Sequence, residues 1–99
     1  VSLVPLREAL DETINAIVYP NPAQDRFQVD FQVAEDGARG ELVLWSSDGR
    51  EVYRHPAQRF SSGQQRLTVP TERLTDGAYR YTLRIGEKRQ TGVVQIVRP

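Results

Sequence analysis

Apolar and polar residues alternate along most of the chain beyond residue 16. The clearest block covers residues 26–33, where Phe27, Val29, Phe31 and Val33 are separated by polar side chains. A period of two places every second side chain on the same side of an extended backbone, which is typical of a half-buried β-strand. This block therefore predicts a strand whose apolar side faces a core.

A second alternating block lies at residues 78–85, after a turn signal at Asp76-Gly77. Its apolar positions are Tyr79, Tyr81, Leu83 and Ile85. Gly86-Glu87 offers another turn, and residues 93–97 form a last, more apolar run. The pattern predicts a β-hairpin near the end of the chain. The apolar last strand indicates burial on both sides or pairing with a partner.

Shorter runs between turn signals complete the pattern. Asp48-Gly49 suits a type I′ hairpin turn, and residues 56–64 are predicted to be a loop or a ragged edge. The seven predicted strands cover residues 17–19, 26–33, 41–46, 51–55, 65–69, 78–85 and 93–97. Evenly spaced short strands without a helix favour an all-β fold, a seven-stranded antiparallel β-sandwich, with a small barrel as the alternative.

Residues 1–16 differ from the remainder. Leu6, Leu10 and Ile14 recur every four residues, a spacing that a short helix would share, although an isolated helix of this length is marginal in water. We interpret residues 1–16 as a linker from an upstream domain and residues 17–99 as the sandwich. Pro20 and Pro22 make the start of the sandwich a stiff, extended edge.

Charge is balanced in total but not along the chain. The 99 residues hold 13 basic and 13 acidic side chains. Residues 1–48 contain nine acids and three bases, whereas residues 49–99 contain ten bases and four acids. Two interpretations stay open: strand faces that attract each other in the fold, or a basic surface that meets an anionic partner.

Catalytic and metal-binding chemistry finds little support. The chain has no Cys, so disulfides and thiolate sites are excluded. His55 is the only histidine, and no triad, calcium-loop or phosphate-loop spacing occurs. The sequence predicts no catalytic residue, no cofactor, no metal site and no nucleic-acid partner. No apolar run is long enough to span a membrane. The first residues lack the pattern of a signal peptide, so we expect the signal peptide of an exported parent protein to lie upstream of Val1.

Three blocks resemble a known family. They are residues 18–23 with the strand that follows, residues 42–52 around Gly49, and residues 74–98, which include Gly77, Tyr79 and Lys88. In this order the sequence resembles the C-terminal sorting domain of type IX secretion, type A, from exported proteins of Bacteroidetes-type bacteria. Ser47, where the family often has an apolar residue, and the terminal Pro99 depart from the family pattern.

The resemblance implies a non-catalytic immunoglobulin-like sandwich that directs a covalently attached upstream cargo through the periplasm and the outer-membrane translocon to the cell surface or the medium. It also implies removal by a sortase-like cysteine peptidase that cuts within or before residues 1–17, and joining of the cargo to an anionic lipopolysaccharide or its release. The predicted recognition residues are Tyr19, Pro20, Asn21, Pro22, Gly49, Gly77, Tyr79, Lys88, Val93, Val94, Ile96, Val97 and Arg98.

The sequence leaves two alternatives open, one for the last strand and one for the whole domain. Residues 93–97 either pair with a receptor edge through main-chain hydrogen bonds or close the domain's own core. The whole domain could instead be an accessory sandwich that binds carbohydrate or packs on a catalytic neighbour. Carbohydrate binding predicts an exposed row formed by Trp45, Tyr53, Tyr79 and Tyr81, whereas period-two placement favours their packing in the core.

Overall fold

The computed structural model describes residues 14–98, and in this range it contains seven strands in two antiparallel sheets. The strands are β1 (Ile17–Tyr19), β2 (Arg26–Val33), β3 (Ala38–Trp45), β4 (Glu51–Phe60), β5 (Gly63–Pro70), β6 (Gly77–Ile85) and β7 (Lys88–Ile96). One sheet has the order β1-β2-β5 and the other the order β4-β3-β6-β7. This confirms the predicted all-β, seven-stranded sandwich.

Side chains from both sheets meet in a single core. All four apolar positions of the 26–33 block are at most 2% exposed, as the alternation predicted. The facing sheet contributes Leu42, Leu44, Tyr79, Tyr81, Leu83, Ile85, Val94 and Ile96, all buried. Each fully buried side chain of this kind contributes about 1.5–3 kcal/mol, so the core depends on both sheets being present.

Close packing in this core requires glycine at two positions. The ring of Tyr81 lies directly over Gly92 on β7, where an added Cβ would come within 2.6 Å of the ring. At Gly40 an added Cβ would lie 2.5 Å from Ile85 Cδ1 and 3.0 Å from the ring of Phe60. The rings of Phe31 and Phe60 then meet edge to face at 5.3 Å, which joins the two sheets.

Residues 56–64 were predicted to be a loop or a ragged edge, and the loop interpretation was wrong. β4 continues through Pro56 to Phe60, and β5 already begins at Gly63. Proline is tolerated because β4 is an edge strand and Pro56 lies at a register shift, where Leu42 pairs with His55 but Gly40 pairs with Gln58. β3 and β7 also begin earlier than predicted.

The β3–β4 turn is not type I′. That turn requires positive φ at both central residues, but φ is positive at Gly49 (85°) and not at Asp48. Gly49 N–H donates to Ser46 O at 2.9 Å, and Ser46 N–H donates to Arg50 O at 2.8 Å. The connection is therefore a three-residue loop, a type I turn followed by a left-handed glycine.

The packed region includes part of the stretch that we interpreted as a linker. Ile14 is 8% exposed and belongs to the core, and the backbone of Ala16 is held by the side chain of Gln90. Residues 1–13, with the predicted short helix, lie outside the described residues. No helix long and apolar enough to cross a bilayer occurs between residues 14 and 98.

Candidate functional site

Most of the predicted recognition residues converge at one end of the sandwich. β1 leads into this end, β6 starts there and β7 finishes there. Gly77, Val97 and the turn around Gly49 lie at this end too. Lys88 lies at the other end, as the first residue of β7 after the turn at Gly86-Glu87. The structure therefore brings the predicted residues together except for Lys88.

Tyr19–Ala23 crosses from the edge of one sheet to the edge of the other, and we call this segment the strap. Tyr19 still belongs to β1, opposite Gln28 of β2. Ala23 forms a parallel bridge with Ile96 of β7. The peptide bonds before Pro20 and Pro22 are both cis. The strap thus joins the two sheets along the side on which β7 would otherwise be an open edge.

Asn21 binds the edge of β7 with its side-chain amide. Its Nδ2 donates to Val93 O at 3.1 Å, and Gln95 N–H donates to its Oδ1 at 2.9 Å. One side chain therefore satisfies a carbonyl and an amide of the strand, as a neighbouring strand would do. The sequence motif included Asn21, but its partners lie more than 70 residues away and no local pattern indicates them.

Ala23 extends the same edge with its backbone. Ala23 N–H donates to Gln95 O at 2.7 Å, and Val97 N–H donates to Ala23 O at 2.9 Å. Ala23 is fully buried, so a larger side chain would not fit there. Together with Asn21 it occupies the outer edge of β7 between residues 93 and 97. A receptor strand can add to that edge only after the strap has left it.

The two sides of β7 differ in exposure. Val94 and Ile96 are fully buried, whereas Val93 is 60% and Val97 is 43% exposed. The sequence left open whether β7 is buried on both sides or pairs with a partner. In the structure one side closes the core. The other side exposes two valines to solvent at the end of the sandwich that holds the strap, which we call the strapped end.

Tyr79 anchors the loop that precedes β6. Its hydroxyl donates to Thr75 O at 2.7 Å, while the side chain is only 6% exposed. A tyrosine near the start of this strand that bonds backbone a few residues upstream is the tyrosine corner of immunoglobulin-like sandwiches. Gly77 enters the strand at φ 153°, a conformation that other residues rarely adopt. Both residues have a clear structural role.

Arg98 folds back onto the same loop. Its guanidinium donates to the carbonyl oxygens of Leu74 and Thr71 and lies 3.5 Å from the Asp76 carboxylate. Its backbone N–H also donates to Asp76 at 3.3 Å. A receptor that reads this arginine must compete with these internal contacts.

Thr71 completes this end of the molecule, although no sequence pattern indicated it. It is fully buried, its hydroxyl donates to Gln24 O at 2.7 Å, and its N–H donates to Asp25 O at 2.9 Å. The β1–β2 and β5–β6 connections are therefore tied together. The end that holds the strap is an ordered surface.

Tyr19 takes part in a polar cluster on the outer side of the three-stranded sheet. Its hydroxyl donates to Asp30 at 2.9 Å, and Arg66 donates to the same carboxylate at 2.8 Å. The hydrogen bond from Arg66 is the main reason that the pKa of Asp30 lies below its usual value. The hydrogen bond to Asp30 raises the pKa of Tyr19. The cluster links β1, β2 and β5.

Other candidate chemistry is sparse in the described residues. Between residues 14 and 98 no group of three or more His, Asp or Glu side chains is arranged to hold a metal ion. Tyr79 and Tyr81 are buried, and Trp45 and Tyr53 are half-buried. These four aromatics form no exposed row, which argues against the carbohydrate platform.

Two comparisons with known proteins bear on this arrangement. A family model described as the secretion system C-terminal sorting domain matches residues 17–97. The search among curated proteins found no match. The matched range runs from the start of β1 to one residue beyond β7. The strap and the strand that it covers therefore lie within one family unit.

Proposed function

We propose, from the premise that this chain belongs to the family of type IX secretion system C-terminal sorting domains, that its folded unit is the address of an exported protein and is read at the strapped end. The family match over residues 17–97 carries this proposal. Domains of this family are non-catalytic. The role implies contact with the secretion machinery and delivery to the cell surface or the medium.

The strapped end has the properties of a recognition surface. Val93 and Val97 expose apolar area next to the ordered strap, and the loop contacts of Tyr79 and Arg98 fix the surrounding backbone. A preorganised surface loses little conformational entropy on binding. We therefore place first recognition on the outward side chains of Val93 in β7 and of Val97 directly after it. Strand addition is a later step that requires release of the strap.

Removal of the domain belongs to the same proposal. A peptidase needs an extended, accessible substrate segment, and Ile14 and Ala16 are already held in the fold. We place the cut of a sortase-like cysteine peptidase before Ile14, with the cargo then released or joined to an anionic lipopolysaccharide. Mass spectrometry of the freed domain should give an N-terminus at or before residue 14.

Export of a fusion tests the sorting function. The full 99-residue chain is attached to the C-terminus of an inert periplasmic reporter that carries its own signal peptide. It is expressed in type IX-competent cells and in cells with a disrupted translocon. We expect the reporter on the surface or in the medium of the competent cells only. Periplasmic retention of a folded, intact fusion in both strains would contradict the proposal.

A further inference from the structure

The outward side of the four-stranded sheet is rich in arginine, and we call it the arginine face. Its six arginines are Arg39, Arg54, Arg59, Arg80, Arg84 and Arg89. Two carboxylates, those of Glu41 and Glu51, lie along the same rows. Both are bound by Arg54, at 2.6 and 2.8 Å. Both carboxylates on the arginine face therefore already form ion pairs with Arg54.

Two pairs of arginines stand directly opposite each other. Arg84 on β6 is in register with Arg89 on β7, and Arg39 on β3 with Arg59 on β4. None of these four forms an ion pair with a carboxylate in the described part of the chain. Like charges directly opposite across two strands destabilise a sheet. Arg59 donates a hydrogen bond to Gly37 O at 2.9 Å, whereas strand pairing gives no reason for the Arg84–Arg89 pair.

Attraction between the acidic and basic halves of the chain pairs other arginines with carboxylates. Glu41 is in register with Arg84, but its carboxylate is bound by Arg54 and not by Arg84. Asp30 pairs with Arg66, and Glu41 with Arg54. In both pairs an acid from the first half meets a base from the second. Arg84 and Arg89 keep their charges exposed on one side of an edge hairpin. Their charges are available to a carboxylate from outside the chain.

A row with an aromatic and an apolar side chain, two rows from the Arg84–Arg89 pair, indicates what kind of partner fits. Trp45, Arg80 and Val93 are in register across three strands, with Trp45 half-buried and Val93 60% exposed. Aromatic and apolar side chains together with arginine are typical of protein interfaces. A hydrated polyanion would use the charges but would gain little from the apolar row.

We propose that the arginine face docks a protein surface on which carboxylates lie beside apolar side chains. This inference rests on the proposed sorting function, because it places the partner among the proteins that the exported domain meets. Guanidinium groups bind carboxylates with two parallel hydrogen bonds. The exposed valine lies in the next row but one and packs against the apolar part of the partner.

The single substitution Arg89→Glu separates docking from folding. Among residues 14–98, Arg84 is the one residue paired with Arg89 across the sheet, so the substitution replaces repulsion by attraction within the sheet. We expect the melting temperature to stay level or rise by about 1–4 °C. Export of the reporter fusion should fall about tenfold, because a like charge now faces the partner's carboxylates.

Arg26→Glu is the matched control, since Arg26 is exposed on the other sheet and makes the same charge change. Export of the parent and of both variants at equal levels would overturn the docking inference and leave the sorting function intact. Failure of the parent fusion to leave the periplasm would overturn the sorting function and this inference with it.

Crosslinking identifies the class of partner. A photoreactive phenylalanine analogue replaces Thr82 on the arginine face, with replacement of Thr68 on the other sheet as the control. We expect an adduct at residue 82 whose partner peptide contains Asp or Glu, and we expect Arg89→Glu to remove it. An adduct with polysaccharide or lipid alone, or the same adducts from both positions, would overturn the proposal.

Discussion

Single hydroxyl and carboxylate groups hold the connections of this sandwich, and Tyr79 is the clearest example. Its ring lies in the core, and its hydroxyl satisfies the carbonyl of Thr75. Thr75 is exposed, so water can replace the lost donor, and the net contribution of the hydrogen bond is about 0.5–1.5 kcal/mol. Tyr79→Phe should lower the free energy of unfolding in urea by that amount.

Tyr53→Phe supplies the control for Tyr79. Tyr53 is half-buried, and its hydroxyl has no hydrogen-bond partner among residues 14–98. The control should change the free energy of unfolding by less than about 0.5 kcal/mol. Equal losses in the two variants would contradict the role assigned to the Tyr79 hydroxyl.

Asp30 gives the domain a predictable response to acid. Its pKa is lowered in the folded state, first by the hydrogen bond from Arg66. The unfolded chain therefore binds the proton more readily, and stability rises with pH in this window. The contribution of ionised Asp30 to the free energy of unfolding is complete above the ordinary pKa of about 3.9 for an aspartate. It is lost as the pH falls through the lowered pKa of the folded state.

Asp30→Asn should flatten the acid side of the stability profile. The measurement is urea unfolding at a series of pH values from about 6 to 2. Asp25→Asn is a suitable control, because the carboxylate of Asp25 makes no ion pair within the described residues. The same slope in parent and Asp30→Asn would show that Asp30 is not the responsible group.

At the level of elements, alternation predicted which strands exist and which side of each is buried. The apolar positions from Phe27 to Val33 and from Tyr79 to Ile85 point inward as expected. Burial of one side of a strand requires a buried side chain at every second residue. The first and last residues of the strands were less predictable from the sequence. Pro56 signals a break only if the strand has neighbours on both sides, and its position at a sheet edge depends on the tertiary fold.

The contacts of the strap could not be predicted from the local sequence. Pro20 and Pro22 indicated a stiff edge, but the strand that Asn21 binds is decided by the packing of the two sheets. Edge strands invite unwanted pairing, and a covering segment is one way to prevent it. The motif therefore has a structural reason that local propensity does not express.

Asn21→Ala should open the covered edge of β7. We expect amide exchange at Gln95 to accelerate, and the free energy of unfolding to fall by about 1 kcal/mol, since two hydrogen bonds are lost at an exposed site. Asn21→Asp keeps an acceptor for Gln95 N–H but sets a carboxylate oxygen against Val93 O, so the protection of Gln95 should lie between those of the parent and Asn21→Ala. Unchanged exchange at Gln95 in Asn21→Ala would contradict the role of the strap.

For the molecule as a whole, β7 has two roles on its two sides: its inward side chains stabilise the core, and its outward side chains are exposed to solvent. Val94 and Ile96 belong to the core, so deleting residues 94–99 would remove core side chains together with any signal. The family resemblance was confirmed over residues 17–97. The arginine pairs were not predicted, because they depend on the register of β6 with β7 and of β3 with β4.

The most direct test of the account is the surface-exposed fraction of the reporter fusion after Val93→Ser and Val97→Ser are combined. Both valines point away from the core, so the melting temperature should change little. The fraction on the surface should fall about tenfold, since the apolar contact of two valines is lost at the receptor. Ile17→Ser, which removes an equally exposed apolar side chain from the other sheet, should be exported like the parent. Parent-level export of the double valine variant, with the fold intact, would contradict the claim that β7 is the part that is read.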